Sequence, residues 1–227
     1  MNVRTGELVA EFLGTFALIF IGAGAILSNA GLVGIALAHG LVLAIMISAM
    51  GRISGGVFNP AVAIGLAVTG RLSWPKAVAY IIAQLVGGAA AGYLLAAVFP
   101  ASAISAASLG TPLVAAGVEA WQAVIIEAVL TFFLMLAIFG TAVDKKGPNQ
   151  LAGFGIGTVL IFDILMGGPL TGASMNPART FGPALAGGFW AGHWVYWVGP
   201  IVGAVVAALL YDKVIAAETK TEGSKAA

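Results

Sequence analysis

One tripeptide occurs twice, far apart in the chain: Asn59-Pro60-Ala61 returns as Asn176-Pro177-Ala178. Asn is a favoured N-cap, because its side-chain oxygen can accept a free backbone N–H. Pro suits the first helical position, where its missing N–H costs nothing. Each copy therefore marks the start of a helix. Four charged side chains lie among apolar neighbours. Glu11 and Glu127 sit inside apolar runs, where a carboxylate at the centre of a membrane helix costs roughly 2.5–3.5 kcal/mol. Arg179 follows the second tripeptide directly, and Asp163 adjoins Ile164. Neighbours on a helix point about 100° apart, so Asp163 and Ile164 cannot face the same way. Asp163 is expected to hydrogen-bond the backbone of a nearby loop. Covalent chemistry is poorly served. There is no Cys and no Gly-x-Ser-x-Gly, and neither His39 nor His193 has an obvious Ser partner. No metal, no cofactor and no enzymatic activity is expected.

The elements that must position these residues are long and apolar. Of 227 residues, 60% are hydrophobic and 8% charged, with a mean hydropathy of +1.05. A soluble domain carries roughly a quarter charged residues, so this chain cannot coat a water-exposed surface. A net charge of +1 gives no electrostatic footprint for nucleic acid. Six runs reach membrane length, about 20 residues: 6–27, 33–51, 77–99, 119–141, 151–168 and 194–212. The fold class predicted is all-α integral membrane, one domain over 1–212, with a polar tail at 213–227. With six spans, nine of the ten Lys and Arg residues share the side of the two termini, which assigns that side to the cytoplasm. Arg179 is the exception, which marks it for function. Trp74, Trp121, Trp190, Trp194 and Trp197 fall near span ends, as an interfacial belt requires, and His193 reads as interfacial too. Arg52 reads as a headgroup or loop anchor. Short loops and termini suggest a microbial plasma membrane.

The chain is also a repeat. Glu11-Phe-Leu-Gly-Thr-Phe-Ala-Leu18 recurs as Glu127-Ala-Val-Leu-Thr-Phe-Phe-Leu134, and Leu85-Val-Gly-Gly as Ile201-Val-Gly-Ala. With the tripeptides, the offsets are 116, 116 and 117 residues, giving repeats at about 5–99 and 119–212. Each repeat holds three spans, an odd number, so the second enters the membrane from the opposite side. Such inverted repeats place their site near the midplane, on broken helices whose N-termini point inward. The stretches from Ala61 to Thr69 and from Ala178 to Leu185 are too short to cross a bilayer, and read as re-entrant half-helices. The irregular backbone before them is tolerated at that depth only inside protein or against a watery cavity.

On Ile53-Ser-Gly-Gly-Val-Phe-Asn-Pro-Ala-Val62 and Gly172-Ala-Ser-Met-Asn-Pro-Ala-Arg-Thr-Phe-Gly-Pro183, the chain resembles the aquaporin (major intrinsic protein) family over residues 5–212. The resemblance implies the aquaporin fold, six transmembrane helices plus two half-helices, and a passive channel conducting water in single file while excluding protons and ions. It implies that Asn59 and Asn176 donate to a passing water at the channel centre. It implies a carbonyl ladder from Gly55, Gly56, Val57, Gly172, Ala173 and Ser174, with Glu11 and Glu127 holding the two loops. By position, the family's four-residue constriction falls on His39, Ile164, Ala173 and Arg179, a set similar to that of plant vacuolar-membrane aquaporins. A ring with Ile and Ala should be wider and less polar, admitting glycerol, urea, ammonia or hydrogen peroxide. Against that, glycerol facilitators carry Asp and a basic residue where this chain has Thr180 and Ala184, and Tyr196-Trp197 matches water channels. Two histidines of many relatives are replaced by Arg52 and Val57, which removes any gate built on them. The lipid bilayer and a homotetramer with one pore per subunit are the expected partners. A saturable carrier, a membrane-junction protein and an intramembrane protease are the rival classes.

Overall fold

The computed structural model describes residues 3–216, and every regular element among them is helical. In chain order they are α1 (Thr5–Leu27), α2 (Gly31–Ser54), α3 (Pro60–Val68), α4 (Trp74–Val98), α5 (Ala101–Ala107), α6 (Ala120–Ile138), α7 (Ala152–Thr171), α8 (Pro177–Gly187) and α9 (Val195–Leu210). Helices α6 and α9 each run on through a wider π turn, Phe139–Val143 and Tyr211–Ile215. Counting those extensions, and the 3-10 turn Asn149–Leu151 that leads into α7, six helices of 21–25 residues are apolar enough to cross a membrane. At 1.5 Å per residue they measure about 32–38 Å, against a hydrocarbon core of about 30 Å.

Polar links tie one set of helix ends into a single face. Arg4, before α1, donates to the Ile53 carbonyl at the end of α2. Lys76, at the start of α4, pairs with Glu7 on α1 at 3.0 Å. Arg71, between α3 and α4, pairs with Asp212 beyond α9 at 2.6 Å. The Tyr211 hydroxyl donates to Asp144 beyond α6 at 3.0 Å. The outward surfaces of the spans are apolar, with Ile45, Ile82, Trp121 and Phe154 all more than half exposed. Lipid is the solvent they suit.

Helices α3 and α8 are the exceptions in length. Nine and eleven residues give about 13 and 16 Å, so neither crosses alone. Both are mostly buried. Helix α8 can lie against α4 because both surfaces are glycine: a Cβ on Gly182 would strike the backbone of Gly88, and one on Gly92 the Gly182 carbonyl. In the other half, Gly65 of α3 faces the Ala204 carbonyl of α9.

Several expected boundaries move. Helix α8 reaches Gly187, about half a turn beyond the predicted end. Helix α7 continues through Pro169 to Thr171, because a proline there lacks a donor but interrupts only the last turn. Helix α5 was not expected: its Ala and Ser residues carry no long apolar run. Of the predicted tail, the part from 217 lies outside the described residues.

Candidate functional site

Each half-helix begins as its sequence requires. Asn59 and Asn176 are extended (φ −152° and −151°), and their side-chain oxygens accept from the N–H of Ala61 and Ala178 at 2.9 and 3.0 Å. Their amide nitrogens cross between the repeats. Asn59 Nδ2 donates to the Met175 carbonyl at 2.8 Å, and Asn176 Nδ2 to the Phe58 carbonyl at 2.9 Å. The two helix N-termini thus meet head to head. A side-chain amide has two N–H groups, so each Asn keeps one beyond its crossed bond.

The loops before these helices are strained and held. Phe58 and Met175, at equivalent places, have φ of +49° and +53°. Ala173 has φ +44° where the other repeat has Gly56 at +66°, a conformation costing a non-glycine about 1–3 kcal/mol. What holds them is carboxylate. Glu11, fully buried, accepts the N–H of Val57 (3.0 Å) and Phe58 (2.7 Å), the Ser54 hydroxyl (2.6 Å) and the Gln84 amide (2.7 Å). Glu127, also fully buried, accepts the N–H of Ser174 (2.9 Å) and Met175 (2.7 Å) and the Thr171 hydroxyl (2.7 Å). Tyr80 and Tyr196 complete the frame, donating to the carbonyls of Ser54 and Thr171. Sequence reasoning missed Ser54, Thr171, Gln84 and both tyrosine roles. The signal existed: polar atoms inside apolar spans, and tyrosines 116 residues apart.

A narrow cavity of about 30 Å³ runs past this junction, room for a few waters in file. It is lined by both Asn residues, by Gly56, Val57, Ala173 and Ser174, and by His39, Ile164 and Arg179. All four residues of the predicted constriction therefore border one space. Ile164 and Arg179 also line a wider vestibule of about 340 Å³, with Gly172 in its wall. Those two residues sit where the cavity and the vestibule meet. Gly55 lies apart from it, exposed on the opposite side.

Arg179 is fixed by donating Nη1–H to the Gly110 carbonyl at 2.7 Å. Its Nη2 is 3.3 Å from His39 Nε2, while His39 Nδ1 lies 2.9 Å from the Ile35 carbonyl. Both contacts are satisfied when Nδ1 carries the proton and Nε2 accepts from Arg179, the neutral imidazole. Room for the His39 ring exists because residue 22 is glycine; a Cβ there would overlap it.

Asp163 departs from expectation. It is fully buried, yet neither carboxylate oxygen has a partner among the described residues. The loop N–H groups it was to accept are already bound to Glu127. Arg52 is exposed and makes no hydrogen bond or ion pair with any described residue. Thr180 and Ala184 are fully buried, and the Thr180 hydroxyl bonds Ser174 Oγ; neither lines the cavity. His193 accepts from Trp197 Nε1 at 3.1 Å and packs edge-on to Trp190, within the aromatic cluster at the end of α9. No group of His, Asp or Glu among the described residues could hold a metal.

Two opposed half-helices inside six spans define a membrane channel built from inverted repeats. The family model described as Major intrinsic protein matches residues 2–211, and the chain belongs to that family, one of channels rather than enzymes. Aquaporin TIP4-4 of Zea mays is 44% identical over 93% of this chain and 87% of its own length. Aquaporin TIP2-1 of Arabidopsis thaliana is 42% identical over 91% and 86%. The X-ray structure of the aquaglyceroporin from Plasmodium falciparum superposes with a TM-score of 0.83 at 28% identity, covering 92% of this chain and 96% of that one.

Proposed function

We propose that the narrow cavity is the filter of a passive pore that conducts water in single file and excludes protons and ions. The carrying observation is the crossed pair of amides. Each Asn uses one N–H and its oxygen to hold the junction, which leaves one N–H for a passing oxygen. A water that accepts from both must turn its own hydrogens away along the file, and a proton wire breaks there. The N-termini of α3 and α8 each supply about half a positive charge at the same point, and Arg179 adds a full one at the ring. Cations are repelled twice. Carbonyls of Gly56 and Val57 on one side, and of Ala173 and Ser174 on the other, serve as acceptors, with Gly55 and Gly172 extending the ladder.

The ring has a polar wall, His39 and Arg179, and an apolar one, Ile164 and Ala173. That composition favours slower passage of small neutral solutes such as glycerol, urea, ammonia and hydrogen peroxide beside water. Stopped-flow light scattering on proteoliposomes tests both statements. Fast shrinkage in an impermeant osmolyte, followed by reswelling in glycerol or urea, is the expected result. Shrinkage no faster than empty vesicles would end the water reading, and absent reswelling would end the solute one.

The basic residues on the face that joins α1 and α9 support a cytoplasmic assignment for that face, in a plasma membrane, with residues 1–212 acting as one channel unit. Apolar outer surfaces suit close packing of four copies, one pore in each; mass determination in detergent would distinguish a tetramer from a monomer.

A further inference from the structure

The face bearing Arg71 holds a second cavity, of about 330 Å³, separate from the pore. Three pieces of chain frame it: the connection carrying Arg71, the end of α6 and the end of α9. Its floor is aromatic, Phe139 against Tyr211 with ring centres 5.6 Å apart. Both framing helices leave α geometry here for π turns, a departure that recurs at functional sites.

The rim is basic. Arg71, Lys145 and Lys146 line it, with Asp144 the one acidic member among the lining residues. Asp144 is engaged elsewhere, accepting the Lys146 N–H at 2.9 Å and the Tyr211 hydroxyl at 3.0 Å. Arg71 uses one of its five N–H groups on Asp212, and Lys213 neutralises part of that carboxylate at 3.5 Å. Lys145 is exposed and has no hydrogen bond or ion pair with any described residue. Among the described residues around the opening, the cations Arg71, Lys145, Lys146 and Lys213 outnumber the carboxylates Asp144 and Asp212 by two.

The surroundings say which anion. The cavity lies where two spans end, and α9 with its π turn, one of the elements that frame it, exposes Val206, Leu209 and Val214 at 51%, 37% and 49%. A soluble phosphate would use the basic rim only. A phospholipid would use the rim for its headgroup and the apolar flank for its chains. Basic pockets between membrane helices are suited to anionic headgroups. We propose that this cavity binds the phosphate headgroup of an anionic glycerophospholipid, with an acyl chain lying along the outer face of α9.

Thermal unfolding of the detergent-purified protein gives the test, with phosphatidylglycerol, phosphatidylcholine of the same chains, or sodium phosphate added. Phosphatidylglycerol should raise the transition temperature and phosphatidylcholine should not. The double substitution Lys145→Gln/Lys146→Gln should raise the phosphatidylglycerol concentration needed by about thirtyfold. Lys145→Arg/Lys146→Arg, which keeps both charges, should leave it unchanged. Water flux equal to that of the unsubstituted protein would show that both variants fold. An equal response to phosphatidylcholine, or an undiminished response in the double variant, would overturn the site. A full shift from sodium phosphate alone would overturn the lipid assignment.

Discussion

Glu11 and Glu127 perform one task with unequal help. Replacing Glu127 by Ala would strand two backbone N–H groups and the Thr171 hydroxyl in a dry interior, each at about 1–3 kcal/mol. Loss of monodisperse protein is expected, read by size-exclusion chromatography; Glu11→Ala should fail likewise. Asp163→Asn should behave differently. No described residue donates to Asp163, so the substitution should leave the unfolding temperature equal or higher, and water permeability intact. A large drop would mean that the carboxylate holds a partner. At the ring, Gly22→Ala should displace His39 and raise glycerol reswelling several-fold; unchanged selectivity would remove His39 from the filter. The two Glu residues were legible because carboxylates at equivalent places in apolar runs demand a reason. Gln84 was hidden because its counterpart is Pro200, so the repeat gave no prompt. Asp163 was misjudged because a sequence does not say which neighbour has already taken the available N–H groups.

At the scale of elements, contact distance decides more than backbone freedom. Gly182→Ala would drive a methyl into the Gly88 backbone, and neither helix can yield without opening the pore. Gly117 also has a left-handed φ (+84°), but nothing stands within 4 Å of a Cβ there. Gly117→Ala should cost only about 1–2 kcal/mol and remain folded, while Gly182→Ala should not yield stable protein; the pair can be compared by thermal unfolding. The join between the ends of α6 and α9 is electrostatic. The Lys146 N–H, and after it the Tyr211 hydroxyl, hold the Asp144 carboxyl below its ordinary value of 3.8. Its contribution is therefore complete above pH 3.8 and is lost as the pH falls from there through the lowered value. The group is well solvated, so that contribution is small. Long apolar elements were readable from length and hydropathy alone. Helix α5 and the π turns were not, because short Ala-Ser segments and helix-end geometry leave no periodic trace.

For the whole molecule, the odd number of spans per repeat fixed the opposed half-helices before any coordinates, since parity permits no other arrangement. A passive channel has no saturable transport cycle. Solute flux should rise linearly with gradient and show no ion coupling, whereas a carrier would saturate. The crossed amides also constrain biosynthesis. The Phe58 carbonyl finds its donor only in Asn176, 118 positions later, and Asn59 waits as long for Met175. At 5–20 residues per second, that interval is roughly 6–24 s. During it, the first half-helix cannot settle at the membrane centre, because its polar tip has no partner in lipid. The crossed bonds, and with them the centre of the pore, cannot form until the second repeat has been made.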